Sequence, residues 1–195
     1  MNNTIRRFDC EESTRQFRPF VLWFTGLSAS GKSTLASLLH AELARSGFPC
    51  FVLDGDLLRS GLCSDLGFSA ADRAENLRRA GEVARLLVDA GLVVIAAFIS
   101  PYVADRARVR NRFEKDQFYE IFLDCPIDVC RQRDPKGLYR KAQEGLIPTF
   151  TGVSDPYEPP NAPDLVVRTG ELTAQESLEV LYRFCLDRCF AQGSP

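Results

Sequence analysis

Eight residues, Gly26-Leu27-Ser28-Ala29-Ser30-Gly31-Lys32-Ser33, constrain this 195-residue chain most. They fit GxxxxGK[ST] in full, follow the apolar run VLWFT and open the helical pattern STLASLL. A loop of this kind needs a strand before it and a helix after it. Its glycines let the backbone curl so that successive N–H groups and the helix N-terminus converge on phosphate oxygens. By type and spacing, Lys32 is placed to reach the β/γ oxygens of a nucleoside triphosphate and Ser33 to ligate Mg²⁺. The alternative is a Gly/Ser-rich turn that binds nothing.

The rest of the pattern suits that start. Strand-length apolar runs at Phe20–Thr25, Phe51–Asp54, Leu92–Phe98, Phe118–Asp124 and Leu165–Arg168 alternate with amphipathic stretches. This is the signature of an α/β domain with a mostly parallel sheet covered by helices on both faces. Leu35, Leu38, Leu39 and Leu43 form one helical stripe, with Gly47 at the C-terminal cap position. Ser69 with Asp72, and Thr173 with Glu176, have capping-box spacing. The segment 148–163 holds five of the 11 prolines and predicts an extended connection, either functional or simply packed over the surface.

Composition excludes several classes. With 45% hydrophobic and 26% charged residues the chain is neither disordered nor a disulfide scaffold. The longest apolar run, Leu92–Ile99, is too short for a membrane span. A net charge of -2 gives no bulk attraction to nucleic acid or anionic lipid, so bound anions must be held by local groups. Seven cysteines lack a CxxC pair, and His40 is the only histidine, which disfavours structural zinc. The first 20 residues lack the apolar core of a secretory signal, so the expected location is the cytoplasm, or an organelle after loss of a transit peptide.

The phosphate acceptor must be read elsewhere. Leu53-Asp54-Gly55-Asp56 places two carboxylates where the second strand ends, near the P-loop mouth. Asp54 or Asp56 could serve Mg²⁺ or take a proton from an attacking hydroxyl; a solvated Asp-Gly turn is the alternative. The third strand ends at Ile99-Ser100-Pro101 without the Asp usual in Walker-B strands, which puts weight on Asp54 as the metal-linked carboxylate. Arg73 and Asn76 share a helix face and could act on one anion, or belong to a charged face paired with Glu75 and Glu82. Arg131, Arg133, Lys136, Arg140 and Lys141 flank Asp-Pro-Lys-Gly, so 131–147 reads as helix, turn, helix: a lid over the nucleotide or a solvated basic surface.

Taken together, GLSASGKST, LDGD, DLGFSAADRAENLRR, FISPY, RDPKGLY and FTGVSDPYEPP resemble, in order, the adenylylsulfate kinase (APS kinase) family. The resemblance implies a three-layer P-loop kinase fold with a five-stranded sheet and a lid. It implies an arm over 1–18, a kinase domain over 19–195, a lid near 131–147 and a substrate loop near 148–163. The implied reaction is ATP-dependent phosphorylation of the ribose 3′-hydroxyl of adenylyl sulfate, with Mg²⁺, in a homodimer. ATP sulfurylase is the implied functional partner. Carried over by position, Gly26 to Thr34 and Arg133 resemble the ATP site. Asp54, Asp56, Arg59, Phe68, Arg73, Asn76, Ile99, Ser100, Lys136, Leu138 and Phe150 resemble the acceptor site, with Phe68 and Phe150 sandwiching the adenine. Asp54, Lys32 and Ser100 resemble the catalytic set, and Ser33 with Asp54 the metal site. Ser100 matches a serine described in the family as a phosphoserine site; direct in-line transfer needs no such intermediate, so substrate contact through its hydroxyl or backbone is the simpler role. Leu57, Ser60, Cys63 and Gln143 depart from the commoner Asn, His, Asn and Arg of the family, and the last removes a lid cation. A weaker resemblance to plant-type members suggests a reversible Cys10–Cys50 disulfide, against two unrelated thiols. Cys125, Cys130, Cys185 and Cys189 read as buried apolar residues.

Overall fold

The computed structural model describes residues 17–189. Its five strands are β1 (Val21–Thr25), β2 (Cys50–Asp54), β3 (Val93–Ala97), β4 (Phe118–Asp124) and β5 (Leu165–Arg168), each within one residue of the expected limits. They form a wholly parallel sheet, order β2-β3-β1-β4-β5. The chain winds outward from β1 to β2, returns to β3, then crosses to β4 and β5. The loops after β1 and its neighbours therefore part at the carboxyl edge, where α/β sheets bind ligands.

Both faces of β1 are buried, which is why its sequence runs apolar without alternation. Phe20, Leu22 and Phe24 pack with Leu35, Leu39 and Leu43 of α1 (Lys32–Arg45) and with Leu181 and Cys185 of α7 (Ala174–Cys189). On the other face Val21 and Trp23 meet Leu77, Ala80 and Ala84 of α3 (Ala70–Asp89) and Val109 of α4 (Val103–Arg110). Leu38 departs from the expected stripe: it lies on the flank of α1 and is 36% exposed. Gly47 closes α1 at φ 82° as anticipated.

The capping boxes form. The Ser69 hydroxyl accepts from Asp72 N at 3.1 Å, and the Thr173 and Glu176 side chains each accept from the other's backbone N–H. The short helix α2 (Gly55–Arg59) follows β2, while α5 (Ile127–Arg133) and α6 (Leu138–Gln143) flank the Asp134–Gly137 turn. Cys125, Cys130, Tyr139 and Phe150 form a third, smaller core beneath these two helices. Residues 156–163 contain no helix or strand, as five prolines in 148–163 require. The expected arm over 1–18, and Cys10 with it, lies outside the described residues apart from Phe17 and Arg18. Cys125, Cys130, Cys185 and Cys189 are buried thiols, and Cys50 is a half-buried thiol donating to His40 O at 3.6 Å.

Candidate active site

The P-loop joins β1 to α1 through strained but well-supported backbone. Ala29 and Gly31 sit at positive φ, 61° and 97°. At Gly26 a Cβ would meet Leu123 O at 2.8 Å and Ser30 Oγ at 2.9 Å, so only glycine fits against β4. Thr169, after β5, donates to Ser30 O at 2.9 Å and braces the loop from the far side. Lys32 folds back over the loop, its Nζ donating to Gly26 O at 2.9 Å and Leu27 O at 2.6 Å. Burial lowers its pKa from 10.5 to about 8, a desolvation cost on the charged form that the Gly26 and Leu27 carbonyls only partly offset. Ser33 and Thr34, by contrast, are exposed on the first turn of α1.

Ser33 meets Asp54. Its hydroxyl donates to Asp54 Oδ2 at 2.8 Å, while Asp54 Oδ1 accepts from Asp56 N at 2.8 Å and caps α2. Two hard oxygen donors from different elements thus converge beside the phosphate loop, a donor set suited to Mg²⁺ completed by phosphate oxygens and water. Among the described residues no cluster of three or more His, Cys, Asp or Glu could hold a metal alone. Asp56 points its carboxylate to Lys136 Nζ, 2.5 Å away across the gap to the Asp134–Gly137 turn. That contact raises the Lys136 pKa. The turn and α6 form an open surface depression of about 550 Å³ with Asp134, Lys136, Gly137, Arg140 and Lys141, and Leu138 starts α6 half-buried in the third core. Arg133 donates to Thr169 O at 2.6 Å and so stands beside the residue that braces the P-loop.

The remaining expected residues separate into two groups. Arg59 and Phe68 are together, the guanidinium 4.4 Å from the centre of a ring that is 63% exposed, with Arg59 also donating to Gly67 O. Phe150 is buried at 7% exposure, edge-on to Tyr139 at 5.0 Å, within the third core. Arg73 does not take the charged-face pairing, since Glu75 and Glu82 hold Arg78, Arg79, Arg85 and Arg112; it donates to Phe68 O, Thr151 Oγ1 and Thr149 O and pairs with Asp155 at 3.6 Å. Asn76, one turn on, is 4% exposed with its Oδ1 unpartnered.

Ser100 is 2% exposed, and its hydroxyl, turned toward the core, accepts from Trp23 Nε1 at 3.2 Å. Its φ of 40° is rare for a serine and costs about 1–3 kcal/mol. Its carbonyl, like that of Ile99, is already engaged: Arg106 Nη1 donates to Ser100 O at 2.6 Å and Thr25 Oγ1 to Ile99 O at 2.8 Å. Sequence reasoning missed Thr25 and Arg106, which make these contacts, and Tyr157 and Glu158, which meet them: the Tyr157 hydroxyl lies 2.9 Å from Thr25 Oγ1 and Glu158 O accepts from Arg106 Nη2. The one available signal was Arg106 lying at helical spacing between Val103 and Val109, where an apolar residue is expected.

A phosphate-cradling loop after the central strand of a parallel sheet, a serine–carboxylate pair at its mouth and a basic helix pair over it define a P-loop phosphotransferase. Comparison with known proteins narrows the class. Residues 18–168 match the family model for adenylylsulphate kinase. An adenylyl-sulfate kinase of Geotalea uraniireducens is 57% identical over 176 residues, 90% of this chain and 84% of the relative. An APS kinase from Mycobacterium tuberculosis, solved in complex with AMPPNP and APS, is 45% identical with a TM-score of 0.80, covering 87% of this chain and 98% of that one. A hexameric APS kinase from Thiobacillus denitrificans is 31% identical with a TM-score of 0.68; the match covers 91% of this chain and 31% of that one. The chain belongs to the adenylylsulphate kinase family.

Proposed function

We infer that the chain transfers the γ-phosphoryl group of ATP to the ribose 3′-hydroxyl of adenylyl sulfate, giving 3′-phosphoadenylyl sulfate and ADP. The observation that carries this is the Ser33–Asp54 contact at the mouth of a complete P-loop, in a chain of this family. It joins the phosphate end of the site to the carboxylate on which the acceptor reading rests.

The P-loop amides and the N-terminus of α1 hold the triphosphate, and Lys32 exchanges the carbonyls of Gly26 and Leu27 for phosphate oxygens. Mg²⁺, held by Ser33 and Asp54, would neutralise charge on the β and γ phosphates. Asp54 orients the 3′-hydroxyl and takes its proton as the oxygen–phosphorus bond forms and the bond to the ADP oxygen breaks. Arg59 and Phe68 supply a cation and an open ring face for the sulfated nucleotide, with Asp56, Asn76 and Phe150 completing the acceptor side. Arg73 shapes that side by holding the segment that carries Phe150. Ile99 and Ser100 form its floor through their backbone. Lys136 and Leu138 belong to the lid, and Arg133 steadies the nucleotide side through Thr169. Closing this lid excludes water, which suppresses hydrolysis of ATP.

A homodimer, supported by the family resemblance, is the assembly we assign, with ATP sulfurylase as the source of the acceptor. A cytoplasmic location suits these substrates; no helix among the described residues is long and apolar enough to cross a membrane. The acceptor assignment is tested by incubating ATP and Mg²⁺ with adenylyl sulfate, adenylate or gluconate separately and identifying the product. Only adenylyl sulfate should yield rapid ADP release, with a 3′-phosphorylated product, and EDTA should stop it. Turnover on gluconate and none on adenylyl sulfate would overturn it.

A further inference from the structure

The proline-rich segment does not simply lie on the surface; it is knotted to the turn that follows β3. Glu158 is the centre of the knot. Its N–H donates to Pro101 O at 2.8 Å, its carboxylate Oε2 accepts from Val103 N at 2.7 Å at the start of α4, and its carbonyl accepts from Arg106 Nη2 at 2.8 Å. Arg106, 2% exposed, also donates to Ser100 O and pairs with Glu120 of β4, so one guanidinium spans three segments. Just before Glu158 in the chain, Asp155 Oδ1 accepts from the Tyr102 hydroxyl at 2.9 Å, and the Tyr157 hydroxyl lies 2.9 Å from Thr25 Oγ1 at the foot of the P-loop.

These contacts have a direction. β3 lies between β2, which ends at Asp54, and β1, which ends at the P-loop. The turn after β3 is therefore the floor between carboxylate and phosphates. The segment fixed to that floor carries Phe150 and Thr151 and returns to α3 through Arg73. Gly152, at φ 86°, is where the segment passes over the P-loop: a Cβ there would meet Leu27 Cδ2 at 2.9 Å.

We propose that Arg106 and Glu158 are positioning residues for the acceptor: they fasten the 149–158 strap to the β3–α4 turn and so set the acceptor half of the site against the phosphate half. Neither residue touches the reacting atoms. The proposal deepens the kinase reading and rests on it.

Glu158 is exposed, so its substitution leaves the core intact. Glu158→Ala should raise KM for adenylyl sulfate about tenfold and leave KM for ATP within about twofold, because a strap displaced by a fraction of an ångström misplaces only the acceptor. Glu158→Gln keeps an oxygen for Val103 N and should restore the acceptor KM to within about twofold of the parent. Arg106→Lys should act like Glu158→Ala. Equal rises in both KM values, an unchanged acceptor KM in Glu158→Ala, or failure of Glu158→Gln to restore it would overturn the proposal. Absence of adenylyl sulfate turnover in the parent protein would instead overturn the kinase reading on which it rests.

Discussion

Burial gives Lys32 a pKa of about 8 in the nucleotide-free fold, whereas an unfolded lysine keeps its proton to about pH 10.4. Between those values the unfolded chain binds the extra proton, so this residue makes stability rise as pH rises across the window, and gives no slope below it. In urea titrations at pH 7 and 9.5 without nucleotide, the parent protein should gain stability relative to Lys32→Met; an identical pH response in the two would contradict the burial of this ammonium. The same residue was legible from sequence because its role is local, set by GxxxxGK[ST] within eight positions. Ser100 was not: its hydroxyl faces a tryptophan 77 positions away. Arg73 likewise finds its partners 76 and 78 residues on, which no spacing rule on its own helix could supply.

The turn between α5 and α6, the lid proposed above, meets the DGD segment through the ion pair Lys136–Asp56, whose side chains are 60% and 75% exposed. A pair that open to solvent contributes at most about 1 kcal/mol to stability. Lys136→Met should therefore leave the urea midpoint nearly unchanged, while kcat/KM falls about tenfold or more through loss of a cation over the transferring group. A large stability loss with normal turnover would assign the lysine to the fold alone. Elements of this kind were readable where chemistry is local: turn residues at Asp134–Gly137, caps at Ser69 and Thr173, and prolines after Thr149. Leu38 was misplaced because periodicity assigns a face but not its edges. The strap's attachments were unreadable, since they are made largely by backbone carbonyls and amides, which every residue carries.

For the whole molecule, the wholly parallel order β2-β3-β1-β4-β5 brings the ends of β1, β2 and β3 side by side, so one sheet edge carries the phosphate loop, the carboxylate and the floor between them. Among the described residues β2 is an edge strand, with Phe51 39% exposed. Sedimentation should give a dimer near twice 21.8 kDa, and a monomer at micromolar concentration would contradict the assembly we assign. Asp54 tests the account most directly. Asp54→Asn keeps an oxygen for Ser33 and the cap on α2, so the site should retain its shape and lose the charge that serves Mg²⁺ and takes the proton. Single-turnover ADP formation with adenylyl sulfate should fall about a hundredfold or more in Asp54→Asn while ATP still binds. A variant that transfers phosphate at the parental rate would contradict the account.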